Sequence, residues 1–561
     1  MEQIDNPNAA TSEALSSMVR LDESARRLSA VEEALQGYAF KQAEQWEPAL
    51  ASFQRALELE PEWGEVLIEL GELYFKLNRS EEGLALWLRA SVVTPDWGDD
   101  LRNPAQLEAA VDRWQKHTVF PLAYPDVLVK LAEALIGEHR FEEAMALWER
   151  LFPLCPEAAF THRRLTAAML FCGRVAFADQ IFQARVDRNN ARARERQLDR
   201  LGIRFLRDFS THVGHIGLLD QYIKMDRLGL RAAARPVLVT GLKPIGNAAY
   251  LDCWRPHLPD MITDPATYLR LAPLVDELED HTHGIMDRQG GQRISYNWGD
   301  FVQVLRQWEA EKRPPLLSLP ETQHVRGQAC LRQLGVPEGA WFVGLHIRED
   351  AWDKVRNAST QSYQLAIDSI LQRGGWVIRM GDAAMTPLPP SPRVIDYALG
   401  PHKSDWMDVF LWATCRFFLG TQSGPVQVPP TFGLPCVLTN WAPPLAPLGY
   451  EQDLCIYKRY YSEREQRFLT FQELLSSPVG CISASAYLDT QGITLVDNTA
   501  EEINAVVLEM LDRLEGRPQP VNEGHQKAWR AAYEPLGGTN GQLGRAFAEE
   551  HAYLLGFGSP S

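Results

Sequence analysis

Long apolar runs are missing: nowhere do the roughly 18 consecutive apolar residues that a membrane-spanning helix needs follow one another. Metal-type thiol spacing is missing too. The eight cysteines, at positions 155, 172, 253, 330, 415, 436, 455 and 481, form no CxxC and no His/Cys cluster, which argues against zinc and against a disulfide framework. Basic charge is scarce, with 56 Lys and Arg against 73 Asp and Glu and a net charge of −17. A surface that acidic repels phosphate backbones and anionic lipid, so nucleic acid is not an expected partner. The opening MEQIDNPNAATSEAL is acidic and polar, unlike the basic start and apolar stretch of a secretory signal. The expected location is therefore cytoplasmic. What is present is the composition of a soluble globular protein, 45% hydrophobic and 23% charged over 561 residues, enough for three to four domains at about 150 residues each.

A 34-residue period runs through the first third. Gly37, Phe40, Ala49, Phe53, Ala56 and Pro61 are answered by Gly71, Tyr74, Gly83, Trp87, Ala90 and Pro95. The pattern resembles the tetratricopeptide (TPR) repeat, in which small residues let paired helices approach and large ones fill the gap. A third copy keeps Leu131, Ala132, Leu135, Ala144, Trp148 and Pro156, displaced by an insertion near 96–122, and a weaker fourth runs through Leu165, Met169, Ala178 and Phe182. Most of these positions are core. The concave surface of such an array either binds a peptide or protein, or serves as a dimer or interdomain brace.

Beyond a boundary placed near 190 to 200, short apolar runs alternate with amphipathic helices, the pattern of α/β units. RFLRDF, VGHIGLLDQYIKMDRLGL and RPVLVTGLK read as strand, helix and strand. In a parallel sheet the turn after a strand points at the ligand crevice, which puts Gly214 and His215 there. His215 is either a general base or substrate ligand, or a packing residue at a helix start. After the next strand, Gly246 and Asn247 turn the chain close to a ligand, whereas Tyr250 and Trp254 read as core.

The richest segment starts at Trp341. WFVGLHIRED is a buried strand that delivers His346, Arg348, Glu349 and Asp350 to its carboxyl end, followed by a loop with Arg356, Asn357 and Ser359. In WVIRMGD, Arg379 sits inside an apolar strand. Burying a guanidinium without an anion costs several kcal/mol, so it calls for a phosphate or for Asp382 as an internal partner. The helix of SDWMDVFLWAT starts at Ser404, with Asp405 and Asp408 complementing its dipole. CRFFLGT then opens into Thr421, Gln422, Ser423 and Gly424, a bend whose N–H groups and hydroxyls suit a diphosphate. PCVLTNW brings Thr439 and Asn440 to the same edge.

HIRED, RGGWVIRMGD, VIDYA, SDWMDVFLWATCRFFLGTQSG and FGLPCVLTN together resemble a bacterial family of TPR-containing glycosyltransferases of the two-Rossmann GT-B form. They are distantly similar to the fucosyltransferase group, whose HxR motif is matched by His346 and Arg348. That group carries an aspartate three residues beyond the arginine in its protein O-fucosyltransferases, where this chain has Ala351, with Asp350 one residue earlier. The resemblance implies that Arg348 holds the donor diphosphate. It implies a nucleotide-sugar donor and neither cofactor nor metal, in line with the lack of a DxD at a strand end: Asp99 and Asp100 lie in the insertion.

The expected fold class is thus a multidomain α plus α/β chain. Its parts are an N-terminal segment 1–29, a TPR-like array 30–195, Rossmann-like halves 200–335 (acceptor side) and 336–498 (donor side), and C-terminal helices 499–561, with Thr499 capping and Gly516 stopping the first. His346, Arg348, Arg379, Asp382, Thr421, Gln422, Ser423, Gly424, Thr439 and Asn440 are the expected donor contacts. For the base, His215, Glu349, Asp350 and Asp353 are all open, the acidic three also being natural ion-pair partners of the arginines. A repeat array ahead of such a unit resembles the layout of O-GlcNAc transferase and of flagellin-modifying enzymes, implying a protein acceptor such as flagellin held in the repeat groove. Surface polysaccharide or lipopolysaccharide synthesis, or a non-catalytic binding scaffold, are the alternatives, and the repeats also offer a homo-oligomer contact.

Overall fold

The computed structural model describes residues 26, 28–41, 43–77, 79, 82–83, 85–86, 89–90, 141–152, 175–207, 209–230, 234–240, 244–279, 298–350, 354–382, 384–444, 449–480, 485–536 and 538–558. Trp87, Pro95, Asp99, Asp100, the insertion near 96–122, Leu131, Ala132, Leu135, Pro156, Leu165, Met169, Ala351 and Asp353 lie outside the described residues. The chain divides into two compact units, Met1–Cys172 and Gly173–Ser561.

In the first unit, helices 28–41, Trp46–Leu59 and Gly64–Lys76 follow one another, with Phe141–Leu151 later. Ala49, Phe53 and Ala56 fall on one helical face and pack with Ala34, Val66, Leu70, Leu73 and Tyr74. Full burial of Phe53 contributes about 1.5–3 kcal/mol. The small residue at Gly37 is required, because a Cβ there would stand 2.8 Å from the Phe53 ring. Ala144 and Trp148 of the third copy are likewise fully buried.

The units part earlier than the expected 190 to 200. Helix Val175–Glu195, which carries Ala178 and Phe182, belongs to the second unit. Its Ala193 joins a hydrophobic cluster with Phe205, Val239, Val275 and Leu278. Burial against the α/β region therefore sets its membership, not its repeat pattern.

The second unit opens with a three-stranded sheet in the order β1 (Ile203–Leu206), β2 (Arg235–Val239), β3 (Met261–Ile262). Both pairings are parallel. Helices Val213–Gly217 and Leu219–Arg227 make the first crossover, and Ala248–Cys253 lies in the second.

The larger sheet holds β4 (Phe342–His346), β5 (Trp376–Arg379), β6 (Val394–Ile395), β7 (Phe418–Gly420), β8 (Cys436–Trp441), β9 (Leu454–Tyr457) and, after the small antiparallel set β10 (Arg459–Ser462), β11 (Arg467–Phe468) and β12 (Ile493–Val496), β13 (Gln542–Leu543). Its order is β13-β9-β8-β7-β4-β5-β6, with every pairing parallel. Without β13 this is the 3-2-1-4-5-6 order of a Rossmann sheet, in which the chain runs outward from β4 and returns to lay β7 on its other side. The strand order reverses between β4 and β7, the kind of switch point at whose carboxyl edge open α/β sheets form their ligand crevice.

All five residues of β4 are buried, as expected of a strand covered on both faces. The Gln364–Gln372 helix packs with Ala500–Leu514, and Trp412 of the Asp405–Thr414 helix lies against Gly344. Thr499 caps its helix in a capping box, and Gly516 ends it at φ 73°. Within the stretch 499–561 expected to be helical, NGQLGRAFAEEHAYLLG instead adds β13 to the sheet edge before a short helix Arg545–Glu550. Two residues in a strand carry no periodicity to read. Among the described residues no helix is long and apolar enough to cross a membrane.

Gly420 is a point of close approach in the sheet, since a Cβ there would fall 2.0 Å from the His346 carbonyl oxygen. Backbone cannot step aside as a side chain can. Gly420→Ala should lower the unfolding free energy by about 1–3 kcal/mol or more, read as a fall in the urea midpoint at unchanged slope.

Candidate active site at the crossover of the parallel sheet

The crevice is built by two strand ends tied together. The Thr421 N–H donates to the His346 carbonyl (3.1 Å), and the Arg348 N–H donates to Thr421 Oγ1 (2.9 Å). Thr421 itself is fully buried. Beyond it, Pro425 has no N–H and Val426 spends its own on the Ser423 carbonyl. Among the described residues, no group accepts from the N–H of Gln422, Ser423 or Gly424. Ser423 is 9% exposed, and Gln422 Oε1 is buried with no donor.

Arg348 sits beside this bend, 19% exposed, with Nη2 donating to Asp350 Oδ2 at 2.5 Å. Its Nε is buried and has no acceptor. Two polar neighbours in this loop are engaged: Glu349 Oε2 accepts from the Thr386 N–H (2.6 Å), and Asn357 exchanges two hydrogen bonds with the Asp350 backbone.

His346 projects at the same edge, 4% exposed. Its Nδ1 donates to the Met380 carbonyl at 3.2 Å, which fixes the tautomer and leaves Nε2 as a bare acceptor. Nε2 is buried without a partner. Burial is the main reason its pKa falls to about 4, so the ring is neutral at physiological pH.

Arg379 corrects an expectation. Its charge is met by Asp396, just past the neighbouring strand β6, Nε donating to Oδ1 at 2.6 Å and Nη2 to Oδ2 at 3.0 Å. The burial argument needed an anion, and the register supplies one, so no phosphate is called for, although Nη1 is left without a partner. Arg379 is paired laterally with Leu345, and side chains alternate along a strand, so it leaves the sheet on the face opposite His346. Asp382 is exposed and accepts from the Ala384 N–H.

Thr439 and Asn440 are corrected too. Both are fully buried. Thr439 Oγ1 meets the Tyr363 hydroxyl at 2.6 Å, and Asn440 trades hydrogen bonds with Asn498 (2.6 and 2.7 Å) in a left-handed conformation at φ 50°. Thr439 thereby ties β8 to the turn ahead of the Gln364–Gln372 helix, and Asn440 ties it to the residue before the Thr499 cap of the Ala500–Leu514 helix.

Across the crevice, the acceptor-side residues do close packing. A Cβ on Gly214 would lie 2.7 Å from the Gly424 Cα, and one on Gly246 would lie 2.7 Å from the His212 Cα. Gly246 and Asn247 were expected to bend toward a ligand. Asn247 instead caps its own helix by accepting from the Tyr250 N–H and donates to the Asp405 carbonyl (2.8 and 3.1 Å). Asp405 Oδ2 in turn accepts from the Ala248 N–H at 2.9 Å, so it caps a helix of the other half besides starting its own. Tyr250 and Trp254 are core, as expected. His215 is half-buried beside Thr211 Oγ1 (3.3 Å), with the His212 ring 4.9 Å away.

Sequence reasoning passed over Asp396, Tyr363, Lys458 and Asn498. Asp396 was legible as the polar end of VIDYA, one strand over from Arg379. Among the described residues, Glu502, Glu550 and His551 come within metal-binding reach of one another, and His551 Nε2 already meets Glu502 Oε1 at 2.5 Å.

No protein-family model and no curated protein matches the chain. Solved structures similar to it include the ADP-heptose lipopolysaccharide heptosyltransferase II of E. coli, with 14% identity, 51% of this chain and 99% of that one covered, and a TM-score of 0.31. A family 9 glycosyl transferase from Veillonella parvula has 12% identity, coverage of 42% and 80%, and a TM-score of 0.27. An O-GlcNAc transferase from Thermobaculum terrenum has 11% identity, coverage of 95% and 97%, and a TM-score of 0.24. Likenesses at such scores carry no argument.

Two measurements separate scaffold from site. Asp396→Asn strands the Arg379 guanidinium, which is 1% exposed. Asp396 keeps 21% of its surface in water, so the loss should fall near the lower end of the about 3–5 kcal/mol for breaking a buried pair. Denaturant midpoints should show the double change Arg379→Met, Asp396→Asn recovering part of it. His346 works through pH: its folded pKa of about 4 lies below the ordinary 6.5. The unfolded chain therefore binds the extra proton, and stability present above that upper value is lost as pH falls through the window. His346→Gln should flatten that part of the urea midpoint against pH.

Proposed function

We propose that the chain is a metal-independent GT-B glycosyltransferase that moves a sugar from a nucleoside diphosphate to an acceptor, and that the acceptor is a protein or peptide engaged by the helical repeats. The observation that carries this reading is Arg348 at the β4/β7 switch point. Its Nε is unpartnered, beside three successive N–H groups of Gln422, Ser423 and Gly424 that have no acceptor among the described residues. Such a set of fixed donors is matched to a diphosphate.

In the transfer, the bond from the sugar's anomeric carbon to the diphosphate oxygen breaks, and its electron pair stays on that oxygen. The acceptor's oxygen or nitrogen forms the new bond and gives up its proton to a base. Arg348 and the bend meet the charge growing on the leaving oxygen, so they stabilise the transition state more than the ground state. We assign the base to His215, on the turn whose Gly214 packs against Gly424. A cytoplasmic setting accords with the free thiols of Cys253, Cys330, Cys415, Cys436 and Cys455.

A panel of nucleotide sugars with the purified protein, scored by released nucleotide, tests the reading. One donor should turn over, and Arg348→Ala should slow it by about a hundredfold or more without altering the melting curve. Failure to release nucleotide from any donor, together with failure to bind any nucleoside diphosphate, would overturn it.

A further inference from the structure

A hollow of about 560 Å³ opens at the edge of the larger sheet opposite Arg348. Pro435 leads into β8 and Gln542 opens β13, so one wall stands at the amino ends of the parallel strands, a strand's length from the crevice. The other wall comes from the first half: Lys224 on the Leu219–Arg227 helix, with Trp308 and Glu309 at the end of the Trp298–Ala310 helix. Its size falls within the roughly 300–1,000 Å³ of small-molecule sites. We infer that this hollow is a second ligand site, separate from the reaction centre, and that it takes a neutral saccharide.

Three observations support the assignment. The first is a buried donor. Lys224 is 2% exposed, and its ammonium gives one N–H to Asp220 Oδ2 (2.6 Å) and one to the Tyr450 hydroxyl (3.4 Å). An ammonium has three N–H groups, and among the described residues nothing accepts the third. The Trp308 and Tyr450 rings, with centroids 5.4 and 5.1 Å from the nitrogen, hold it in place.

The second is the mixture of groups beside that donor. Glu309 Oε1 accepts from the Glu451 N–H (3.3 Å), while Oε2 has no donor among the described residues. Gln542 Oε1 is taken by Arg513 (2.9 Å), which leaves its Nε2 to donate. A hydroxyl gives and accepts at once, so a polyol answers both kinds of group. Pro430, Pro435 and Met510 are buried and line the same space, an apolar surface for the C–H face of a sugar ring.

The third is charge balance. Of the four cations that line the hollow, three have carboxylate partners: Lys224 has Asp220, Arg313 has Glu311 and Arg513 has Glu509. The fourth, Lys312, is outnumbered by Glu309 and Glu451. No positive excess is left to draw an anion, and a neutral ligand avoids the cost of taking a charge out of water.

The test screens the full chain on an array of neutral glycans and follows each hit by calorimetry, with inorganic phosphate and pyrophosphate alongside. At least one neutral saccharide should bind. Leu514, 40% exposed, lines the hollow, so Leu514→Trp fills it with little demand on the core. Glu309→Ala removes a half-buried carboxylate that has no ion-pair partner among the described residues, a change the fold tolerates. Each should weaken the saccharide by about tenfold or more, and Arg348→Ala should leave its affinity as it was.

Three results sink the inference: no neutral glycan binds, saccharide affinity is unchanged in both folded variants, or it responds to Arg348→Ala and not to Leu514→Trp, which places the sugar in the crevice. Phosphate binding that Leu514→Trp abolishes would make the hollow an anion site and overturn it as well. None of these outcomes bears on nucleotide release, so the enzyme reading stands or falls separately.

Discussion

The donation from the Arg348 N–H to Thr421 Oγ1, with the Thr421 N–H returned to the His346 carbonyl, is the tie on which the crevice depends. At a switch point the loops of neighbouring strands turn away from each other, so nothing in the sheet itself keeps them in register beyond the last ladder bond. A threonine one residue past β7 supplies that link. Its net worth is about 1 kcal/mol, but leaving its buried groups unmet would cost more. Gly420 makes it possible by keeping the space beside the His346 carbonyl empty.

Two arginines at the ends of adjacent strands show how charge is sorted. Arg379 is almost wholly enclosed and meets Asp396 through two parallel bonds, the fork geometry in which guanidinium and carboxylate satisfy each other. Arg348 meets Asp350 through Nη2 and keeps Nε unengaged. One arginine is consumed by the scaffold; the other retains a reason to bind something.

The repeat was legible because a 34-residue period states helix packing directly, as Gly37 under Phe53 shows. The strands from β4 to β8 were legible because apolar runs that end in polar residues have one physical cause, a covered parallel sheet. What stayed hidden was where those polar residues look. Thr439 and Asn440 stand at a strand end just as Arg348 does, yet they face Tyr363 and Asn498. Likewise Arg379 and Asp396 are 17 residues apart and become neighbours only through strand register. The Gly246–Asn247 turn failed for a similar cause: tight bends and close backbone approach demand the same residue types whether the neighbour is a ligand or another loop.

Where Gly214 of one half rests on Gly424 of the other, main chain touches main chain with no side chain between. A side chain can change rotamer and cushion a small displacement; bare backbone has no such slack. A shift of either half at this contact is therefore passed on undiminished to the bend beside Arg348.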